Sequence, residues 1–446
     1  MKTAFARRGW KFWRWPVVAA AGVAALGASI PLLVPFSSFI PEITRVASEK
    51  IGQPVSVADL RLYLFPTPRV VASGISAGKG AEVSVAELEI VPDLLSFLSG
   101  PRSIRLVRAR DVRMKQAAFA IPGAMPKSGG GGDAVLVRRI ELRSVTVEHA
   151  AVKLPSLDVD LELGEGLTLA RARIQSRDGA LRISLEPVDG GSKVALHATQ
   201  WTLPAGAPIR FDSLLAEGLL KGQGIDLARI EGTLYGGTLK GSARADWSRQ
   251  WQLSGKASLA GMELLPVQMA LGKPAQFSGR LKADATFSSR ARTPDKLGDA
   301  LQLDAPFEIS GGIYHGYDLS KVGGLSAKLD KGGDTRFDEL RGKVQLRGKS
   351  VKVDPLCARS PSLSAAGNVD IGANQELAGK LDVSVGKTGG FVGIPVQLKG
   401  TTSDPWFMPS KGYLIGAAIG TAVLPVIGTS IGSSLGSRFE GRTDCK

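Results

Sequence analysis

Along most of the chain apolar and polar positions alternate with a period of two. Leu157-Asp-Val159-Asp-Leu161-Glu-Leu163 keeps that alternation over seven residues without a fault. Val55-Ser-Val57, Leu60-Arg-Leu62-Tyr-Leu64, Val83-Ser-Val85 and Ile104-Arg-Leu106 repeat it in shorter form. So do Ile140-Glu-Leu142, Val145-Thr-Val147, Leu181-Arg-Ile183-Ser-Leu185 and Val194-Ala-Leu196. Such segments predict strands with one aliphatic face and one wet face. Further on a phrase recurs in which glycine leads two alternating apolar residues. It stands at Gly279-Arg-Leu-Lys-Ala283, Gly342-Lys-Val-Gln-Leu346, Gly367-Asn-Val-Asp-Ile371 and Gly379-Lys-Leu-Asp-Val383. Its uneven spacing excludes a strict repeat and predicts a meander whose strands begin at glycine turns.

Helical periodicity is scarce. Pro41–Ile51 sets Ile43, Val46, Ala47 and Ile51 near helical spacing, with Gly52 as a stop. Leu94–Gly100 reads as a short helical turn, and Pro294–Leu303 and Asp318–Leu329 are further candidates. Many one-faced strands and few helices leave an aliphatic surface in need of cover. A sandwich of two sheets and a single curved sheet with an open apolar trough give the same alternation. Large exposed apolar patches are uncommon on proteins that bind nothing, so the pattern alone favours the sandwich.

Two charge-free runs interrupt this texture. The first, Trp15 to Pro41, includes Val17, Val18, Val23, Leu26, Ile30, Leu32, Leu33 and Val34. Twenty such residues in helical rise cover about 30 Å, one bilayer core. Lys2, Arg7, Arg8, Lys11 and Arg14 precede it with no acid among them, which predicts a cytoplasmic N-terminus and a body on the far side of the membrane. A cleaved signal peptide usually has about 7–15 apolar residues, and the longer run here suits an uncleaved anchor. The second run, Gly412 to Ser437, spaces Gly412, Gly416, Gly420, Gly428, Gly432 and Gly436 in fours, broken at Leu424-Pro425. On a helix this is a small-residue stripe split by proline, suited to a re-entrant or surface-lying hairpin or to a tail packed on the sheet.

Composition narrows the function classes. The net charge over 446 residues is +15, and the body remains basic once the five tail cations are set aside, pointing to anionic headgroups rather than nucleic acid. Cys357 and Cys445 are too few for a disulfide scaffold; they could pair in an oxidising compartment, or Cys357 could simply be buried. His149, His197 and His315 are too scattered to suggest a metal cluster. Gly428-Thr-Ser430-Ile-Gly432 has the spacing of a nucleophile elbow, but no histidine follows Ser430. Gly348-Lys-Ser350 and Gly386-Lys-Thr388 lack the glycine five residues earlier that a phosphate cradle needs. The chain therefore reads as a non-enzyme without metal or cofactor.

Several phrases resemble the AsmA family of membrane-anchored envelope proteins. Near the first run they are Ile51-Gly-Gln-Pro-Val-Ser-Val57, Leu64-Phe-Pro-Thr-Pro-Arg-Val-Val71 and Leu94-Leu95, with Gly100 ahead of Ile104 to Val107. Later come Gly312-Ile-Tyr-His-Gly-Tyr-Asp-Leu319, Thr335-Arg-Phe-Asp-Glu-Leu340, Ser360 to Ile371 and Ile394 to Phe407. The middle resembles the family in texture only. The resemblance implies a mainly β chain in which a transmembrane helix precedes an elongated, curved antiparallel groove with few short helices, related to chorein-type bridge-like lipid transfer proteins. It shifts the balance from the sandwich to the open trough. It also implies phospholipid as cargo, carried between inner and outer membranes in support of outer-membrane integrity. The alternative is a non-transporting scaffold for outer-membrane protein assembly with envelope partners. Groove-lining candidates are Ile140, Leu142, Leu157, Val159, Leu161, Leu163, Leu181, Ile183 and Leu185. The expected organisation is a basic cytoplasmic tail (1–14), an inner-membrane anchor (15–41), a periplasmic N-terminal module (42–121) and a glycine-rich linker (122–133). A β-rich middle (134–306), a C-terminal β region (307–411) and a glycine-rich apolar helical tail (412–446) follow.

Overall fold

The computed structural model describes residues 36–97, 102–115, 117–118, 136–149, 152–164, 168–204, 207–317, 331–361, 363–387 and 390–409. The expected anchor and topology charges (Lys2 to Val34), the whole linker (122–133), the Asp318–Leu329 candidate and the glycine-striped tail lie outside them. Among the described residues no helix is long and apolar enough to cross a membrane. The chain is mainly β, with 24 strands among the described residues, and divides into two compact units, residues 1–188 and 189–446.

In the first unit the edge is formed by β1 (Val55–Ser56) and β2 (Asp59–Tyr63), both paired with β3 (Arg69–Ala77). β4 (Val83–Pro92) and β5 (Ser103–Lys115) follow antiparallel. β6 (Leu136–Val137) and β7 (Arg139–His149) then pair with β5 in parallel, so β6 begins at the end of the sheet from which β5 set out. β8 (Val152–Lys153) hairpins on β7, and β9 (Leu157–Leu163), β10 (Leu169–Ser176) and β11 (Leu181–Val188) complete the unit antiparallel. The faultless alternation at 157–163 is thus one whole strand. Ile140-Glu-Leu142 and Val145-Thr-Val147 are one strand, not two. Ser144, at φ 58°, forms a bulge between them, and the extra residue returns Val145 to the face of Leu142.

The second unit is a meander of thirteen strands paired strictly in sequence, β12 (Gly191–Thr202) to β24 (Pro405–Pro409). At about 4.8 Å per strand its twelve spacings cover about 58 Å. The glycines of the recurrent phrase do not open turns. Gly342 and Gly367 stand inside β19 (Lys331–Arg347) and β21 (Leu363–Ile371), and Gly379 pairs with Leu398 within the ladder. Their reason is close approach: a Cβ on Gly367 would lie 1.9 Å from the Lys380 carbonyl oxygen.

Helices are few. Ile40–Ile51 forms as expected, with proline in its first turn and Gly52 closing it at φ 70°, its N–H donating to the Ser48 carbonyl at 2.8 Å. Its half-buried side is Ile40, Thr44, Ala47, Ser48 and Ile51, whereas Ile43 and Val46 are exposed. Leu94–Phe97 is a 3-10 turn. Pro294–Leu303 yields only the 3-10 turn Pro294–Lys296 before β18 (Gln302–Tyr317) starts, and a short helix at Leu264–Ala270 was not foreseen. Cys357, half-buried on β20 (Ser350–Arg359), is disulfide-bonded.

Each unit is a single layer. Among the described residues both clusters of packed apolar side chains, one across β4, β5, β7 and β9 and one across β21 to β24, join strands that neighbour one another in an open sheet. Consequently full burial is rare and favours small residues: eight of the 21 buried hydrophobics are alanines. The sandwich that alternation alone favours is not the observed arrangement.

Candidate functional site: the uninterrupted apolar face

The registers align the apolar positions of successive strands into rungs. In the second unit one rung crosses every strand. It runs Ala198, Leu214, Gly232, Leu239, Leu259, Ala283 and Phe307, then Gly342, Leu356, Gly367, Leu381, Val396 and Pro409. All thirteen are apolar or glycine. Where the alternation slips, a bulge restores it: the Leu259/Met262 shift accompanies Gly261 at φ 75°, and the Ser278/Arg280 shift accompanies Gly279 at φ 133°. Glycines on this face leave room for rings from the neighbouring strand. A Cβ on Gly255 would sit 2.5 Å from the Phe287 ring, and one on Gly312 would sit 2.1 Å from that of Phe337. The aromatic rings therefore lie across the glycines, which keeps the face smooth. Along β16 (Trp251–Glu263), residues of this face from Leu253 to Leu259 are half-buried, and the residues between them are exposed.

The first unit has the same construction. Leu60, Ala72, Leu88, Ala109, Leu142, Val159, Ile174 and Ile183 form one rung across β2, β3, β4, β5, β7, β9, β10 and β11. Val107, Ile140, Leu161, Ala172 and Leu185 form the next. All nine groove-lining candidates fall on this one face: Leu157 stands beside Val145 and Ser176, Leu163 opposite Leu169, and Leu181 is buried just past the Ser176 hydroxyl, which accepts its N–H at 2.9 Å. Eight of the nine remain half-buried. The sequence reading confined its candidates to residues 140–185, although the apolar rung of the second unit is longer. The glycines and alanines that supply five of that rung's thirteen positions carry little hydrophobic signal by themselves.

The opposite face is ionic. Glu141, only 7% exposed, accepts a hydrogen bond from Arg108 (2.9 Å) and forms ion pairs with Arg139 (3.1 Å) and Arg143 (3.3 Å). Arg108 reaches on to Glu89 (3.0 Å) and Arg143 to Asp160 (2.7 Å), so charge of alternating sign runs from β4 to β9. The Arg143 hydrogen bond and charge hold the Asp160 carboxyl below its ordinary value against the opposing effect of burial, and the same pairings raise Arg108 and Arg143. A carboxylate whose pKa is depressed in the fold contributes stability above its unfolded value and loses it as pH falls through the folded one. Unfolding titrations should therefore show stability declining below about pH 4, and Asp160→Asn should flatten that acid limb.

Two surface hollows, of about 460 and 490 Å³, lie in the second unit, the first crossing β12 to β15 beside Gly232 and the second beside Ser288 and Gln302. Among the described residues no group of three or more His, Cys, Asp and Glu is placed to hold a metal ion. Gly348-Lys-Ser350 is the hairpin turn between β19 and β20, and Ser430 lies outside the described residues.

These units define a class of protein: single-layer sheets, antiparallel except where β5 meets β6 and β7, with one charged face and one apolar face left uncovered by any second layer. The AsmA family model matches residues 212–351, from β13 (Arg210–Lys221) to the start of β20, consistent with an AsmA-family protein. The matched stretch contains the Gly312–Leu319 and Thr335–Leu340 phrases and extends back through residues whose resemblance was one of texture. No curated protein sequence and no solved structure matches the chain.

Proposed function

We propose that the protein is a membrane-anchored lipid conduit of the bacterial envelope. Its apolar face holds the acyl chains of phospholipids while their headgroups stay in water at the rims. The observation that carries this reading is the rung from Ala198 to Pro409, thirteen strands without a polar side chain or a covering layer. Each acyl methylene moved from water onto such a surface is worth about 0.8 kcal/mol, so about ten methylenes supply about 8 kcal/mol, enough to hold a lipid without a polar pocket. Movement along the face needs no bond making, and the reading assigns no catalytic residue. The charge-free run Trp15–Pro41, with five cations before it, supports an inner-membrane anchor and a periplasmic body. Phospholipid is the cargo, and the outer membrane is the destination.

Photo-crosslinking amino acids test it. At Leu157, Val159 and Leu161 they are expected to capture phospholipid in cells, while at Asp158 and Asp160, on the ionic face of the same strand, they are not. Capture of protein at both faces with no lipid at either would replace the conduit by an assembly scaffold.

A further inference from the structure

One end of the first unit's sheet carries a surface that transport along the apolar face does not require. Eleven large hydrophobic residues are exposed among the described residues; seven of them lie between Phe39 and Leu95, and the other four are spread from Val188 to Leu271. The most exposed of the seven occupy turns at a single end. Phe65, 74% exposed, sits in the turn joining Tyr63 to Arg69, and Leu94 and Leu95, 53% and 74% exposed, sit in the turn joining Pro92 to Ser103. Both turns close the same end of the sheet, because Tyr63 pairs with Arg69 and Pro92 with Ile104.

The N-terminal chain arrives there too. The Ile40–Ile51 helix ends beside β1, and the turn before it, Phe36–Phe39, contacts β2, the half of the edge that finishes at Tyr63. The helix therefore runs antiparallel to the edge strand. Residues 1–35, which hold most of the charge-free run, join the body on this side, and Phe39 is itself 51% exposed. The charge is matched as well. Residues 64–69, 93–105 and 136–139, which form these turns and the strand ends beside them, contain five arginines and one aspartate. Arg138 is 67% exposed and reaches Asp93 only loosely, at 3.6 Å, and the Arg69 guanidinium lies 4.9 Å over the Tyr63 ring.

We infer that this end is a second membrane contact: the Phe65 and Leu94-Leu95 tips enter the interfacial region of an anionic bilayer, and Arg102 and Arg138 meet lipid phosphates. Aromatic and leucine tips backed by arginine suit a headgroup layer, which accepts short apolar protrusions and concentrates cations. A protein partner would be better served by a contiguous packed patch than by separate turn tips. The contact fixes the orientation of the body on the bilayer, which a single anchor leaves free to swivel. It stands whether or not the apolar face carries lipid.

The test uses the full chain reconstituted in vesicles of phosphatidylethanolamine with phosphatidylglycerol, containing a lipid with a nitroxide at headgroup depth. An environment-sensitive fluorescent amino acid is placed at Phe65, at Leu95 or, for reference, at Lys79, which is exposed in the turn joining Ala77 to Val83 at the opposite end of the same sheet. Quenching is expected at Phe65 and Leu95 and not at Lys79. It should weaken with added salt, and docking should fall about fivefold for each of Arg102→Gln and Arg138→Gln. Quenching at Leu95 no stronger than at Lys79 overturns the proposal. So does quenching that is equal on pure phosphatidylcholine and indifferent to both arginine variants, or a spectral shift that appears only on adding envelope proteins. A chain whose apolar face is blocked by Leu259→Asp should still dock, which separates this outcome from failure of the conduit.

Discussion

Leu259→Asp is expected to lower the phospholipid retained by the purified protein by tenfold or more, while Ser258→Asp leaves it unchanged. The two residues are adjacent in β16 but face opposite ways. Leu259 is half-buried in the middle of the long rung, between Leu239 and Ala283, and Ser258 is exposed between Lys240 and Asp284. An ionised carboxylate set against acyl chains loses hydration with no partner to replace it, a cost of at least several kcal/mol, whereas about 1.4 kcal/mol already makes tenfold. Extraction and mass spectrometry of bound lipid read the result. Far-ultraviolet circular dichroism should show both variants folded. A face open to water in the lipid-free chain tolerates a charge that a closed sandwich core would not, so the variant also separates the two architectures. Full lipid retention by Leu259→Asp would sink the conduit reading.

Gly367→Val is expected to be strongly destabilising. A Cβ at that position meets the Lys380 carbonyl oxygen at 1.9 Å and the Leu381 Cα at 2.9 Å, both backbone of the neighbouring strand. Neither can step aside without opening the pairing of β21 with β22 (Leu377–Lys387). Overpacking of this kind costs about 1–3 kcal/mol where side chains can shift, and the backbone contact places this case at or above the upper end. Gly298→Ala is the matched control. Nothing lies within 4 Å of its Cβ position and the residue is exposed, so the change should be neutral or slightly stabilising. Urea unfolding of the two variants should give midpoints displaced in opposite directions, or the second not displaced at all.

Much of the fold was legible because one face is dry and the other wet. Leu157 to Leu163 announced a strand at its true bounds because every second residue is aliphatic and every residue between is an acid. The bulge at Ser144 was hidden: an odd spacing between Leu142 and Val145 looks like the gap between two strands until pairing with β9 shows both on one face. Glycine misled in the same way. In isolation Gly342 and Gly367 read as turn residues, and only the register, which sets them beside Phe307, Leu356 and Leu381, gives them the work of letting neighbouring strands and rings approach. The choice between sandwich and open sheet could not come from alternation, since both demand it, and the family resemblance tipped that choice. Leu264–Ala270 escaped notice because seven residues with an internal proline give less than two turns of periodicity. The nine candidates on the first unit's apolar face came from alternation, and their place in a groove from the family resemblance. The Phe65 and Leu94-Leu95 turns did not, because exposure is a property of the folded end and not of the local pattern.

The strictly sequential pairing of β12 to β24 makes the second unit a structure whose length is counted in hairpins. Removing one strand would reverse the direction of everything after it, but removing two leaves the next strand pointing as before, with its aliphatic side still on the common face. The sheet would then be shorter by about 9.6 Å. Because no distant strand is touched, such an edit has no remote cost. A chain of this construction can lengthen or shorten its apolar face in fixed increments, two strands at a time.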